Sequence, residues 1–131
     1  MKKHLNLFIL FLFLLMLFLL SCQRSFSPVN TEVDFGYRYS IRPPINSNVM
    51  LKNDSLLVQV AYSGCSSPHQ FEFHYYTTDG EATVWFTKLT PDQSCEAYFT
   101  QWLRVKLPSQ VVRKSKLIFL APEDVSLVLY Q

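Results

Sequence analysis

Residues 70–89 read Gln-Phe-Glu-Phe-His-Tyr-Tyr-Thr-Thr-Asp-Gly-Glu-Ala-Thr-Val-Trp-Phe-Thr-Lys-Leu. In residues 70–77, aromatic and polar side chains alternate with the two-residue period of a half-buried β-strand. Residues 83–89 predict a second strand, and Asp79-Gly80 between the two favours the positive backbone dihedrals of a tight hairpin turn. The stretch therefore predicts a β-hairpin, and similar signals recur along the chain.

The same alternation predicts strands before this hairpin. Val33–Ile41 alternates residue by residue, and Pro43-Pro44 ends the run because proline cannot donate a hydrogen bond to a strand ladder. Residues 55–63 predict the next strand. Asn53-Asp54 has turn chemistry, which allows Val49–Lys52 to pair with residues 55–63 as another hairpin.

Residues 95–107 fit two structures. A helix over residues 91–103 would begin at the capping box Thr90-Pro91-Asp92-Gln93, with proline at the first helical position. A strand would point one set of side chains inward, with Gln101 as the polar exception: Cys95, Ala97, Phe99, Leu103, Val105 and Leu107. Tyr, Phe, Thr, Trp and Val dominate the segment, so the strand is favoured.

The end of the chain completes an all-β pattern. Lys116–Ala121 and Val125–Tyr130 predict two apolar strands, joined by a turn at Pro122-Glu123-Asp124. About seven short strands at regular spacing predict a single small antiparallel β-sandwich of immunoglobulin-like architecture. We expect this domain to occupy residues 33–131.

The N-terminus has the pattern of an export signal. Two lysines precede an apolar run from Leu7 to Leu20, which is shorter than the roughly 20 residues that a membrane-spanning helix needs. Leu19-Leu20-Ser21-Cys22 resembles the lipobox of bacterial lipoproteins. The resemblance implies that residues 1–21 are a signal peptide and that Cys22 becomes the lipid-modified first residue of the mature protein. An uncleaved membrane anchor is the alternative, and the length of the run argues against it.

The residues after the lipobox suggest how and where the domain is held. Residues 22–32 are polar, contain Pro28 and lack periodicity, so we expect a lipidated tether. Gln23 follows the cysteine, and by resemblance to enterobacterial lipoproteins the absence of Asp there implies the outer membrane. The expected location is therefore the bacterial outer membrane, with palmitate-type acyl chains on Cys22 and the domain facing the periplasm.

Charge argues against a nucleic-acid partner. The chain has 12 Lys and Arg against 10 Asp and Glu, and two of its cations, Lys2 and Lys3, lie in the predicted signal. The mature domain is therefore close to neutral. A local basic cluster is best explained as a solvated loop and strand face: Arg104, Lys106, Arg113, Lys114 and Lys116.

Two cysteines remain once Cys22 carries lipid. Export places Cys65 and Cys95 in an oxidising compartment, where a lone pair of cysteines is expected to form a disulfide. The alternative is structural zinc, for which His69 and His74 would supply the other two ligands. The spacing fits paired zinc ligands poorly, so we predict a disulfide and no metal or other cofactor. His69 is expected to be a loop residue that bonds nearby carbonyls, and His74 a solvated strand residue.

The sequence offers little chemistry for catalysis. It has neither a nucleophile elbow nor a glycine loop for phosphate, and Ser66, His69 and Asp79 are a set that many small domains would allow. We therefore expect no enzymatic activity.

Outward aromatic residues suggest a partner surface instead. Tyr98 and Trp102 would share the outward face of the 95–107 strand, and Tyr76 could add to it. The alternative is that these side chains pack against a loop or the second sheet.

One segment resembles a known family. Tyr62-Ser63-Gly64-Cys65-Ser66-Ser67-Pro68-His69-Gln70-Phe71-Glu72-Phe73 is similar to the Tyr-Ser-Gly-Cys…His-x-Phe segment of NigD-like lipoproteins, and Cys95-Glu96-Ala97 is similar to their second cysteine segment. The resemblance covers about residues 56–130. It implies a lipid-anchored envelope protein with a β-sandwich and a bridge between the two cysteines. Val105-Lys106 replaces the Phe-Asp pair of that family.

Three hypotheses for function follow. The first is a lipid-anchored, non-catalytic binding or structural β module in the cell envelope, with a protein or glycan as its partner. The second is an envelope inhibitor of a hydrolase such as lysozyme, by analogy of format alone. The third is an enzyme, which would need a cleft that holds His69 beside a carboxylate or a serine.

Overall fold

Residues 33–129 are described by a computed structural model, and they contain eight strands and two single-turn helices. The strands are β1 (Ser40–Ile41), β2 (Val49–Lys52), β3 (Ser55–Gly64), β4 (Phe71–Thr77), β5 (Glu81–Lys88), β6 (Ala97–Lys106), β7 (Lys116–Ala121) and β8 (Val125–Leu129), and the helices are α1 (Ile45–Asn48) and α2 (Ser109–Val112). The predicted signal, the tether and Cys22 lie outside the described residues, as does Tyr130. Within residues 33–129, no helix has the length and apolar content needed to cross a membrane.

The strands form two four-stranded sheets. In the first sheet, β6 pairs antiparallel with β3 over residues 55–64. β6 occupies this entire edge of β3. The other edge is shared by two strands: β2 pairs with residues 55–58 and β1 with residues 60–61. The second sheet has the order β4-β5-β7-β8.

The predicted all-β sandwich is confirmed, with one pairing that the prediction did not include. β5 and β7 run parallel, whereas all other strand pairs of the described residues are antiparallel. The chain leaves the second sheet after β5, contributes β6 to the first sheet and then returns. That crossing brings β7 back in the direction of β5, since parallel neighbours need such a long connection.

The predicted strand Val33–Ile41 is divided between the two sheets. Residues near Gly36 form a parallel bridge to the end of β5, where the Tyr37 N–H donates to the Lys88 carbonyl at 3.2 Å. Only Ser40–Ile41 then pairs with β3 as a regular strand. Gly36 has a φ of +67°, a conformation that glycine adopts without strain, and it lets the chain bend between the sheets. The prediction of one continuous strand was therefore wrong.

The hairpins form at the predicted places, but their turns differ. The two-residue turn at Asn53-Asp54 has positive φ at both residues, and so do Glu123 and Asp124 in the last turn. Asp79 and Gly80 do not. The Thr78 N–H donates to the Glu81 carbonyl at 2.9 Å, which continues the register of Thr77 with Ala82. Asp79 and Gly80 therefore form a two-residue turn as predicted, but without the predicted positive dihedrals.

Residues 97–106 form a strand, as favoured, and the alternative helix over residues 91–103 is wrong. The inward side chains of both sheets meet in one apolar core. Its buried residues are Tyr39, Ile41, Val49, Leu56, Val58, Val60, Tyr62, Ala82, Val84, Phe86, Leu103, Leu107, Val111, Leu117, Phe119 and Ala121. The site described next lies where β3 and β5 leave this core.

Candidate functional site

A disulfide joins Cys65 to Cys95, as predicted. The last residue pair of the β3–β6 ladder is Gly64 with Ala97, so the bond closes this ladder just beyond its end. The Gln93 side-chain oxygen accepts hydrogen bonds from the backbone N–H groups of Cys65 and Ser66. The disulfide and Gln93 together fix the start of the loop that follows β3.

Gln101 holds the other end of that loop against the core. Its Oε1 accepts hydrogen bonds from the Tyr62 hydroxyl at 2.7 Å and from the His69 N–H at 3.0 Å. Its Nε2 donates to the His69 carbonyl at 3.1 Å. These three bonds explain why a polar residue occupies an inward position of β6, because a buried amide is costly without partners. The sequence pattern identified Gln101 as an exception without giving its role.

The His69 side chain is a buried packing element. The residue is 3% exposed, and its ring stacks on Tyr62 with the centroids 4.1 Å apart. Neither ring nitrogen has a hydrogen-bond partner among residues 33–129, so the expectation that this side chain bonds nearby carbonyls was wrong. A Cβ atom at Gly64 would lie 3.0 Å from the His69 ring. The loop therefore packs tightly against the end of β3.

The structure does not bring Ser66, His69 and Asp79 together. The Ser66 hydroxyl accepts a hydrogen bond from the Gln93 amide at 3.3 Å. Asp79 follows the far end of β4, and the length of that strand, about 20 Å, separates it from the His69 loop. Among residues 33–129, the His69 ring forms no hydrogen bond with a carboxylate or a serine hydroxyl, so this set lacks the geometry of a catalytic triad.

The alternative zinc set is not assembled either. Both sulfur atoms are taken up in the disulfide, and His69 is stacked on Tyr62. His74 lies on the outward face of β4, where its ring stacks on Trp85 with centroids 5.5 Å apart. In the part of the chain that the structure describes, no group of three or more His, Cys, Asp or Glu residues is placed to hold a metal ion.

Lys88 is a buried charge that sequence reasoning missed. Its side chain is fully buried at an inward position of β5. Its Nζ donates to the Arg38 carbonyl at 3.0 Å and to the Asp92 carboxylate at 3.1 Å, and it lies 5.5 Å from the centroid of the Tyr62 ring. The available signal was its position in the alternation, since Lys88 shares the inward face with Val84 and Phe86.

Asp92 links Lys88 to Arg38, which lies in residues 33–39, the segment before β1. It also accepts hydrogen bonds from the Arg38 backbone N–H at 3.1 Å and from Arg38 Nε at 3.0 Å. The Arg38 side-chain hydrogen bond, followed by the hydrogen bond and charge of Lys88, lowers the pKa of Asp92 below its ordinary value, while desolvation opposes the shift. The carboxylate therefore remains ionised near neutral pH and balances the buried ammonium group.

A cleft of about 550 Å³ opens beside this network. It is lined by residues 35–40, by the end of β3, by the loop that carries Asp92, by Tyr98 of β6 and by the β7–β8 turn. Tyr37 and Tyr98 lie along the cleft and are 45% and 55% exposed. Five side chains of the lining can form hydrogen bonds but have no hydrogen-bond partner within residues 33–129: Tyr37, Ser40, Ser63, Tyr98 and Glu123. The cleft thus offers hydroxyls, a carboxylate and aromatic surface to a ligand.

The predicted aromatic surface is only partly present. Tyr98 and Trp102 lie on the outward face of β6 and are 55% and 47% exposed, so they share one surface as predicted. Tyr76 is 39% exposed but belongs to β4 in the other sheet, where it pairs with Thr83. The inward faces of both sheets meet in the core, so the outward faces point away from each other. The prediction that Tyr76 adds to the Tyr98–Trp102 surface was wrong.

The predicted basic cluster divides between the sheets in the same way. Arg104 and Lys106 lie on the outward face of β6, opposite residues of β3. Lys116 begins β7 and forms an ion pair with Glu81 at 3.0 Å. Lys52, on β2, joins Arg104 and Lys106 on the first sheet, although it lies far from them in the sequence.

Comparison with known protein families, with curated proteins and with solved structures found no match. The relationship to NigD-like lipoproteins therefore stays a prediction from the sequence.

Proposed function

We propose that this chain is a lipid-anchored, non-catalytic binding module of the bacterial cell envelope. The anchor is the acylated Cys22, and the expected location is the outer membrane, with the domain facing the periplasm. The lipobox sequence supports the anchor, and the cleft beside Asp92 supports the binding role. The partner is a protein or a glycan with polar groups.

The open cleft is the observation that carries this proposal. Its rim has side-chain hydroxyls and a carboxylate without partners among the described residues, next to exposed tyrosine rings. Binding sites commonly combine such aromatic surface with a few polar groups that fix orientation. The wall that carries Asp92 is held by the buried Lys88 and by Arg38, so the polar groups are offered by a fixed frame.

A binding role suits this site better than catalysis. The His69 ring faces Tyr62 inside the core, and the Ser66 hydroxyl is engaged with Gln93. Asp92 lies at the cleft, but its oxygens already accept hydrogen bonds from Arg38 and Lys88. A carboxylate held ionised by two cations is a poor general base, because its pKa is far below neutral pH.

Photo-crosslinking in intact cells tests the proposal. A benzophenone amino acid would replace Tyr37 in the cleft, and the matched control would replace Tyr76, which has similar exposure on the opposite sheet. We expect one discrete crosslinked species from position 37 and none from position 76. A Glu123→Gln change in the same cleft should weaken the crosslink. Equal capture from both positions, or no capture from position 37, would contradict a partner site in this cleft.

A further inference from the structure

The outward face of the first sheet concentrates positive charge. Lys52 and Lys106 both pair with Ser55, so they flank the same residue from β2 and β6. Arg104 occupies the next outward position along β6. Arg42 follows β1 directly, and its guanidinium lies 5.5 Å from the centroid of the Tyr98 ring. All four cationic residues are exposed. We call this surface, together with Met50 and Trp102, the basic face.

The basic face has no acidic residue at any outward strand position. Those positions are Ser40, Met50, Lys52, Ser55, Leu57, Gln59, Ala61, Ser63, Tyr98, Thr100, Trp102, Arg104 and Lys106. Asp54 lies in the turn at one end, and Glu96 precedes β6 at the other. The ion pairs found within residues 33–129 involve Arg38, Lys88, Lys116 and His74, and none involves a cation of the basic face.

The opposite face of the domain is different. On the second sheet, the outward Lys116 is neutralised by Glu81, and Glu72 lies 3.5 Å from His74. Four cations that form none of these ion pairs thus lie together on one sheet face. Such asymmetry creates a potential that attracts anions to that side.

Apolar groups accompany the cations. Trp102 pairs with Gln59 between the Arg104 and Tyr98 positions and is 47% exposed. Met50 is 40% exposed and pairs with Leu57, as Arg104 does. Tryptophan and tyrosine prefer the headgroup level of a bilayer, while lysine and arginine pair with anionic lipids there.

We infer that the basic face docks on the phosphate headgroups of an anionic phospholipid bilayer. The inference rests in part on the proposed function, because the lipid on Cys22 would hold the domain beside a membrane and raise the effective concentration of the face there. Each cation is expected to strengthen docking by about fivefold at moderate salt. The cleft shares Ser40, Ser63 and Tyr98 with the outward face of this sheet, so docking and partner binding use adjoining surfaces.

The two tryptophans of the chain give a direct test, because Trp102 lies on the basic face and Trp85 on the opposite sheet. Two variants of the mature protein, each with its native N-terminus, would keep one tryptophan each: Trp85→Phe and Trp102→Phe. Both are bound to neutral phosphatidylcholine vesicles or to vesicles that also contain phosphatidylglycerol, with brominated acyl chains as quenchers. We expect blue-shifted, quenched Trp102 emission in the anionic vesicles alone, and unchanged Trp85 emission in both.

Charge variants separate docking from packing. Arg104→Gln with Lys106→Gln should lower the docking equilibrium by about 25-fold, and Arg104→Lys should retain it. Raising the salt to about 1 M, where the screening length is roughly 3 Å, should abolish the Trp102 signal. Lys116→Gln, on the other sheet, is the matched control and should leave docking unchanged. If Trp85→Phe fails to fold, the same charge variants in the two-tryptophan protein give the comparison through total quenching.

The outcomes distinguish this inference from the proposed function. Equal Trp102 emission in neutral and anionic vesicles, or equal quenching of Trp85 and Trp102, would overturn docking through the basic face. Protein that does not sediment with neutral vesicles lacks the lipid anchor, which contradicts the proposed anchoring. The docking test still proceeds in that case, with anionic vesicles in excess. Crosslinking from position 37 tests the partner site in the cleft separately, and neither vesicle result changes its interpretation.

Discussion

Lys88 and Asp92 form an ion pair whose two members differ in exposure, since the lysine side chain is fully buried and that of Asp92 is 34% exposed. Removing the carboxylate leaves an uncompensated ammonium group in the core. Replacing the ammonium with a methyl group leaves a carboxylate that still meets Arg38 and water. The consequences of the two changes should therefore be unequal.

We expect Asp92→Ala to lower the free energy of unfolding by about 2 kcal/mol, a buried-pair loss reduced for the exposure of Asp92. Lys88→Met, which keeps the volume, should cost less than half of that. Urea denaturation at pH 7 measures both, and Glu96→Ala is a control on an exposed carboxylate. A Lys88→Met variant less stable than Asp92→Ala would contradict this account of the pair.

Acid should weaken the same contact. The pKa of Asp92 is lowered in the folded state from its ordinary value of 3.8, mainly by the Arg38 hydrogen bond. A depressed carboxyl pKa contributes stability above the unfolded-state value, and this stability is lost as the pH falls through the folded-state value. Between pH 5 and 2, unfolding free energy should therefore fall less steeply in Asp92→Asn than in the unchanged protein. Parallel curves for the two proteins would show that Asp92 does not contribute to the acid sensitivity.

Gln101 makes a second prediction at the scale of one side chain. Gln101→Leu removes the bonds to the Tyr62 hydroxyl and to both backbone groups of His69. We expect the free energy of unfolding to fall by about 2 kcal/mol, because the buried His69 carbonyl loses its side-chain partner. Thr100→Ala, at the neighbouring exposed position of β6, should change stability little. Equal effects of the two changes in thermal unfolding would contradict the proposed role of Gln101.

Elements were predictable from sequence where a local period defined them. Alternation gave the strands of the β4–β5 hairpin, and turn chemistry at Asn53-Asp54 gave the β2–β3 hairpin. The division of Val33–Ile41 was not predictable in this way, because a segment that crosses from one sheet edge to the other keeps the same alternation. Gly36 interrupts that segment, but an isolated glycine in a strand pattern also fits a bulge.

Pairing between distant elements explains the other errors. Period two assigns a side chain to a face of its strand, but it does not assign the strand to a sheet, and Tyr76 was therefore placed on the wrong surface. The basic face was not predictable for the same reason, because Lys52 and Lys106 come together only through the pairing of both with Ser55. Lys88 was missed because lysine is rarely buried unless it is paired. Its partner Asp92 lies four residues away, beyond the predicted strand, and its other partner Arg38 comes from a distant part of the chain.

The disulfide gives a prediction at the level of elements, because it closes the ladder of β3 and β6. Its cysteines are 30 residues apart in the sequence, and the chain-entropy relation gives about 3.5 kcal/mol for a loop of that size. Replacing Cys65 and Cys95 together with Ala should lower the unfolding free energy by about that amount, with strand content retained in circular dichroism. Reductant should destabilise the unchanged protein and leave the double variant unaffected. A double variant as stable as the unchanged protein would contradict a structural role for the bond.

At the scale of the whole molecule, a single sheet face could join a domain to a bilayer only weakly. Four cations and a few apolar side chains form and break such contacts readily, and salt screens them. An acylated cysteine acts differently, because each buried methylene contributes about 0.8 kcal/mol and several chains together anchor a protein stably. If both attachments operate, the lipid decides whether the domain is at the membrane, and the basic face decides how it is oriented there.

The anchor can be separated from the face by one substitution. Cys22→Ser removes the thiol that lipidation needs, so we expect the protein to leave the membrane fraction at high salt, where the basic face is screened as well. At low salt, a part of the variant should still bind anionic vesicles. This remaining binding should vanish when Arg104→Gln and Lys106→Gln are added. The control is the Cys65→Ala, Cys95→Ala protein, which keeps Cys22 and should remain in the membrane fraction at any salt. Mass spectrometry of the N-terminal peptide provides the direct measurement: an unmodified residue 22, or residues 1–21 still attached, would contradict the lipid anchor whatever the basic face binds.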